Sequence, residues 1–109
     1  DFPFVVDDWT PGANTKPHFL THCHKDHSRG IEACSTTVYL TRPTLDLLLM
    51  RQFEAATTNR FCELRMHETL LVEPSAPGAL PFSVTALDAN HCAGACMLLF
   101  QGAFGNVLH

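Results

Sequence analysis

The sequence contains no long apolar segment, no pair of cysteines spaced as CxxC and no excess of basic residues. None of its hydrophobic runs approaches the ~20 residues that a membrane helix needs, so we predict no membrane contact. Its five cysteines are odd in number, which favours free thiols in a reducing compartment over a disulfide framework. Lys and Arg number 7 against 11 Asp and Glu, and this acidic balance, taken alone, argues against nucleic acid as a partner. Bound metal cations would change the local electrostatic field around an acidic site.

The chain has 109 residues, of which 46% are hydrophobic, enough for a packed core. It starts at Asp1 rather than Met and ends on an apolar run at Val107-Leu108-His109. We therefore expect residues 1–109 to be an incomplete domain, cut from a longer chain.

Hydrophobic patterning predicts a β-rich α/β domain with few helices. Seven segments are apolar and β-prone and are predicted to be strands: 2–6, 19–21, 36–40, 70–72, 82–87, 96–100 and 104–108. A helix is predicted from Pro43, which suits a first turn, and its apolar positions continue at helical spacing as far as Phe53. Residues 28–34 are predicted to be a short helix or turn, and residues 73–81 a loop.

The strongest chemical signal is the sequence His22-Cys23-His24-Lys25-Asp26-His27, which follows a predicted strand. Alternate residues of an extended segment point the same way, so His22 and His24 can share one metal. Asp26 and His27 can face a second metal close by. Imidazole and carboxylate are ligands of hydrolytic zinc sites, and metal pairs are a common device for phosphoester hydrolysis.

A second histidine segment, Asp88-Ala89-Asn90-His91-Cys92-Ala93-Gly94, also follows a predicted strand. Alone, His91 would be an ordinary loop histidine. Beside a site with two histidines it becomes a third ligand, and three histidines with an open position favour a catalytic metal over a structural one.

The HxHxDH motif with a later strand-end histidine resembles the metallo-β-lactamase-fold hydrolases. The segment around Asn90, His91 and Cys92, together with Val6-Asp7-Asp8-Trp9, is similar to motifs of a narrower group. These are the DNA-repair nucleases with a β-CASP region, the Apollo, Artemis and cross-link-repair group. The resemblance implies part of an αββα sandwich, truncated, with residues 1–109 as its N-terminal portion.

The resemblance also implies a role for each site residue. His22, His24 and His91 would hold one zinc ion, and Asp26 and His27 a second, with Asp26 counted as catalytic. Asp7 would fix the metal-binding loop by hydrogen bonds. From turn chemistry, and not from the resemblance, we expect Asp88 and Asn90 to hold the His91 loop through bonds from their side chains to the backbone.

The function implied is a metal-dependent DNA phosphodiesterase in the nucleus. It would be a 5′-3′ exonuclease, or a hairpin-opening endonuclease, in the repair of cross-links, double-strand breaks or telomere ends. Its partners would be DNA 5′ ends, single-stranded or duplex, and repair or telomere proteins. Where the family has Pro and Ser, this chain has Ala93 and Ala95, which leaves the preference for a 5′-phosphate open.

Three other functions compete with this one. A metallo-β-lactamase hydrolase acting on RNA or a thioester keeps the same ligands. A non-catalytic DNA-end-binding scaffold keeps the fold but not a complete site. A structural Cys/His zinc module fits the ligand spacing poorly.

We predict that the 109-residue chain alone has little or no nuclease activity. In the family, a bridging Asp and a last His ligand come after the position of His109, so the second metal would have only Asp26 and His27. A metal-dependent cleavage assay on labelled DNA checks this, and robust cleavage by the isolated chain would overturn it.

Overall fold

The computed structural model describes residues 2–10, 16–23, 30–31, 34, 36–51, 60–74, 77–89 and 94–109. These residues form eight strands and one helix, in the order β1 (Val5–Val6), β2 (His18–Phe19), β3 (Thr37–Thr41), α1 (Arg42–Arg51), β4 (Arg60–Leu64), β5 (Thr69–Val72), β6 (Phe82–Asp88), β7 (Cys96–Gly102) and β8 (Gly105–Leu108). In this part of the chain, α1 is too short and too polar to cross a bilayer.

The strands form two four-stranded sheets. The first has the order β1-β2-β3-β4 and is parallel throughout. The second has the order β5-β6-β7-β8 and is an antiparallel meander. Strand β6 alternates buried and partly exposed residues until Asp88, as expected for a strand with one face on a core.

Aromatic side chains from both sheets form the core between them. Phe4 and Phe19 come from the parallel sheet region, and Phe82 and Phe100 from the antiparallel sheet. The Phe4 ring stacks on Phe100 with centroids 3.7 Å apart, and Phe19 meets Phe100 edge-on at 5.0 Å. Because these four side chains are almost wholly buried, they determine how the two sheets face each other.

A second core lies on the other face of the parallel sheet, beneath α1. Leu48 of the helix packs with Leu20, Val38 and Leu40. Phe19 and Leu20 are consecutive in sequence and enter opposite cores, because successive side chains of an extended chain point to opposite faces. The described residues therefore stack as helix, parallel sheet and antiparallel sheet.

The structure confirms the predicted β-rich α/β class and corrects four details. The first strand covers only Val5–Val6 of the predicted residues 2–6. Strand β4 was not predicted, although Phe61 is β-prone and Cys62 and Leu64 are apolar. Strand β2 ends at Phe19, so Thr21 lies beyond the strand. Strand β7 extends to Gly102, which pairs with Gly105, so the turn covers residues 103–104 and not the predicted gap at 101–103. Phe53, the last apolar position of the predicted helix, and most of residues 28–34 lie outside the described residues.

Replacing the ring at the centre of the inter-sheet core should destabilise the fold strongly. We expect Phe100→Ala to lower the free energy of unfolding by about 3–5 kcal/mol, because the removed ring leaves a cavity that its neighbours cannot fill. Phe2→Ala is the control, since Phe2 contacts the same aromatic group but is 44% exposed, and its loss should be clearly smaller. Denaturant titration measures both, and equal losses would contradict this account of the core.

Candidate metal centre

The carboxyl ends of the parallel strands meet at one edge of the sheet. Val5 pairs with His18 and Val6 with Phe19, so Asp7 and Thr21 leave the sheet on the same side. The Asp7 amide extends this ladder by donating to the carbonyl of Phe19 at 2.9 Å. This edge is where open parallel sheets bind ligands.

Asp7 makes two hydrogen bonds with a single residue at this edge. Its backbone adopts φ 51°, a left-handed conformation that Asp tolerates better than most side chains. One carboxylate oxygen accepts the Thr21 amide at 2.9 Å, and the other accepts the Thr21 hydroxyl at 2.6 Å. Asp7 therefore fixes both the backbone and the side chain of the residue that directly precedes His22.

His22 is the predicted zinc ligand whose position the structure describes. Its ring nitrogen Nδ1 lies 2.9 Å from the Thr21 hydroxyl oxygen. Its side chain is partly exposed, whereas Thr21 and Cys23 on either side are buried. The imidazole is thus held at the sheet edge by a hydroxyl that itself contacts Asp7.

The antiparallel sheet brings the ends of the His91 segment to the same edge. The Cys96 amide donates to the Thr21 carbonyl at 3.0 Å, and the Ala89 amide donates to the Ala95 carbonyl at 3.2 Å. The Thr41 hydroxyl, at the end of β3, donates to the Gly94 carbonyl at 2.6 Å. The residues on both sides of His91 are therefore fixed next to the His22 segment.

Gly94 packs against the first turn of α1. Its φ is +81°, and a Cβ atom there would lie 2.6 Å from the Thr44 amide nitrogen and 2.7 Å from the Thr41 hydroxyl. Thr41 and Thr44 are buried, and their hydroxyls lie 3.0 Å apart. These two threonines, and Thr21, were not predicted as site residues. Thr41 ends β3, Thr44 lies in the first turn of α1, and Thr21 follows β2, all positions where a hydroxyl can bond to nearby polar groups.

Of the other predicted site residues, the structure describes Asp88 alone. His24, Asp26, His27, Asn90 and His91 lie outside the described residues. Asp88 ends β6, where it is exposed and pairs with Cys96. Among the described residues alone, no three His, Cys, Asp or Glu side chains come together as a metal site.

Cys96 lies at the start of β7, beside the candidate site, and its side chain is buried. Burial raises the pKa of its thiol to about 12, and the negative charge of Asp7 adds to the effect. Without a bound cation, the thiol is therefore neutral at neutral pH. The neighbouring Ala95 is also buried.

The comparisons with known proteins identify the relatives of this chain. No family model matches it. It is 31% identical over 109 residues to the 5′ exonuclease Apollo of Mus musculus, covering 98% of this chain. It is 33% identical over 124 residues to the Artemis protein of Rattus norvegicus, covering the whole chain, and 35% identical over 107 residues to that of Homo sapiens, covering 86%.

The chain is homologous to the Apollo and Artemis proteins. This confirms the resemblance drawn from the His22 and His91 motifs. The matched region is 20% of the mouse Apollo protein and 18% of the rat Artemis protein. The homology thus spans about a fifth of these relatives and takes in the whole sheet edge described above.

A methyl group at Gly94 should disturb the edge of this Apollo-like and Artemis-like region. Gly78→Ala is the control, because Gly78 also has a positive φ, +79°, but nothing lies within 4 Å of the added carbon. We expect it to cost about 1–2 kcal/mol of stability from the backbone conformation alone. We expect Gly94→Ala to cost about 1–3 kcal/mol more, because the added carbon overlaps the first turn of α1. Denaturant titration compares the two matched variants, and equal costs would show that the close packing at Gly94 is unimportant.

Proposed function

We propose that this chain is part of a zinc-dependent DNA phosphodiesterase, a 5′-3′ exonuclease that acts on DNA ends in the nucleus. The observation that carries the proposal is the convergence of the His22 segment and both ends of the His91 segment at one sheet edge. The relatives support the choice of activity, since one is named a 5′ exonuclease. The biological setting proposed is the repair of cross-links, double-strand breaks or telomere ends.

The layers of the described residues support the proposed fold. Helix α1, the parallel sheet and the antiparallel sheet form three successive layers, as expected for part of an αββα sandwich. In that arrangement the fourth layer, a further helix, would cover the outer face of the antiparallel sheet. Leu71 of β5 and Met97 of β7 are exposed apolar residues consistent with such a cover.

The chemistry of the donor set fits zinc. His22, His24 and His91 supply three imidazoles, and Asp26 and His27 supply a carboxylate and a further imidazole for a second ion. When bound, a pair of zinc ions would neutralise charge developing on a phosphodiester and supply a nucleophile from water at neutral pH.

The described residues of this chain would position that ligand set. Asp7 and Thr21 hold His22, whereas Thr41 and Gly94 fix the far end of the His91 segment against α1. Because the chain carries a formal charge of -4, we infer that the basic surface for the DNA backbone comes from residues beyond this segment.

The full-length protein that carries this chain should degrade DNA from 5′ ends when zinc is present. We expect His22→Ala to lower the rate by more than about 100-fold, beyond the loss typical of residues that only support a metal ligand. His67→Asn is the matched control, because His67 is exposed in a left-handed turn that Asn also tolerates, and it should leave the rate unchanged.

The assay should use end-labelled DNA with a 5′-phosphate or 5′-hydroxyl, a DNA hairpin, RNA and a thioester, each with and without a chelator. Faster turnover of RNA or the thioester than of DNA would replace the proposed substrate. Binding of DNA ends with no hydrolysis of any substrate would favour the scaffold function.

A further inference from the structure

Three groups form a continuous chain of hydrogen bonds that ends at the imidazole of His22. The Thr21 hydroxyl oxygen lies 2.6 Å from one carboxylate oxygen of Asp7 and 2.9 Å from Nδ1 of His22. The other carboxylate oxygen of Asp7 accepts the Thr21 amide at 2.9 Å. Thr21 therefore contacts Asp7 twice and His22 once.

The direction of each hydrogen bond follows from the protons available. A carboxylate only accepts, so the Thr21 hydroxyl must donate its single proton to Asp7. The same hydroxyl oxygen then has only lone pairs to offer to His22. Nδ1 of His22 must therefore carry a proton and donate it to Thr21. In neutral imidazole this places the lone pair on Nε2.

We propose that Thr21 is a positioning residue that relays the charge of Asp7 to His22, fixing the Nδ1–H tautomer that presents Nε2 to the metal. The inference rests on the proposed function, in which His22 is a zinc ligand. Metal-binding histidines commonly donate their second N–H to a carboxylate or carbonyl oxygen, which fixes the tautomer and the ring orientation. Here a threonine hydroxyl lies between the carboxylate and the imidazole.

The hydroxyl is held rigidly enough to direct a proton. Thr21 is buried, its amide donates to Asp7, and its carbonyl accepts the Cys96 amide from the second sheet. Both sides of its backbone are therefore fixed by different parts of the chain. A hydroxyl on such a backbone has little freedom to choose another partner.

The proposed relay predicts that Asp7→Asn changes the tautomer of His22. The Thr21 amide can only donate, so the amide oxygen of the substituted side chain must occupy the site that faces this N–H. Its NH₂ group then faces the Thr21 hydroxyl and donates to it. The Thr21 proton is released to point at Nδ1 of His22, which favours the Nε2–H tautomer. That tautomer cannot bind zinc through Nε2. A change of Asp to Asn in a Ser-His-Asp triad likewise leaves the histidine in the wrong tautomer.

The test uses the full-length protein labelled with ¹⁵N at histidine, studied without metal at about pH 8, where imidazole is ordinarily neutral. Two-bond ¹H–¹⁵N spectra report the tautomer of His22, whose signals are assigned by their loss in His22→Gln. Zinc affinity is measured on the same proteins by competition with a chelator. Thr21→Val removes the hydroxyl at nearly constant shape, and Thr21→Ser retains it.

We expect wild type and Thr21→Ser to show the Nδ1–H tautomer and similar zinc affinities. Thr21→Val should lose tautomer preference, and Asp7→Asn should invert it, with zinc affinity lowered by about 10- to 100-fold. An Nδ1–H tautomer in folded Asp7→Asn, or wild-type affinity in Thr21→Val, would overturn the relay. If Asp7→Asn fails to fold, as judged by circular dichroism, the comparison of Thr21→Val with Thr21→Ser still decides.

Failure of the proposed function gives a different result. If wild type binds no zinc but His22 shows the Nδ1–H tautomer, and Thr21→Val loses it, the relay stands and the zinc proposal falls. If zinc binds tightly and Thr21→Val changes neither tautomer nor affinity, the relay falls and the zinc proposal stands.

Discussion

The pair of hydrogen bonds between Asp7 and Thr21 is the contact on which the arrangement of the sheet edge depends. It joins the end of β1 to the segment after β2, where the backbone ladder between these two-residue strands has ended. Hydrogen bonds to a charged group contribute about 1.5–3 kcal/mol each, roughly twice the value for neutral pairs. The Thr21 carbonyl also accepts the Cys96 amide, so the same residue aligns the antiparallel sheet with the parallel sheet. Without Asp7, the segment after β2 and the start of β7 would lose the contacts that align them with each other.

Apolar packing explains why polar groups gather at this edge and not elsewhere. The parallel sheet is covered by aromatic side chains on one face and by α1 on the other, so neither face has room for a hydrated site. Buried hydroxyls are expensive unless they are hydrogen-bonded. The Thr21 hydroxyl donates to the Asp7 carboxylate, the Thr41 hydroxyl donates to the Gly94 carbonyl, and the Thr44 hydroxyl lies 3.0 Å from that of Thr41. The hydroxyls that stabilise the edge thereby also fix the two segments that carry the candidate ligands.

The sequence predicted the strands with clear apolar patterns and missed the one whose pattern is broken by charge. Residues 82–87 alternate regularly and form most of β6, whereas Arg60 and Glu63 interrupt β4, which lies at the end of its sheet and can expose them. The ligand motifs were visible because histidines in that spacing are rare by chance. The threonines were not, because a threonine after a strand is common, and only the fold shows that Thr21 contacts both Asp7 and His22. The position of His22 just after a short strand was therefore predictable from sequence, but the contacts that orient its side chain were not.

A threonine between Asp7 and His22 constrains more of the chain than a direct contact between the two side chains would. A carboxylate bound directly to the imidazole would orient the ring but leave the backbone before it unconstrained. Through Thr21, the same carboxylate fixes a backbone amide and a side-chain hydroxyl together, so the ring and the chain that carries it are positioned by one charge. The left-handed backbone of Asp7 is one reason this is possible, because it turns the chain where β1 ends. Such a conformation costs on the order of 1 kcal/mol, which two charge-assisted hydrogen bonds offset comfortably.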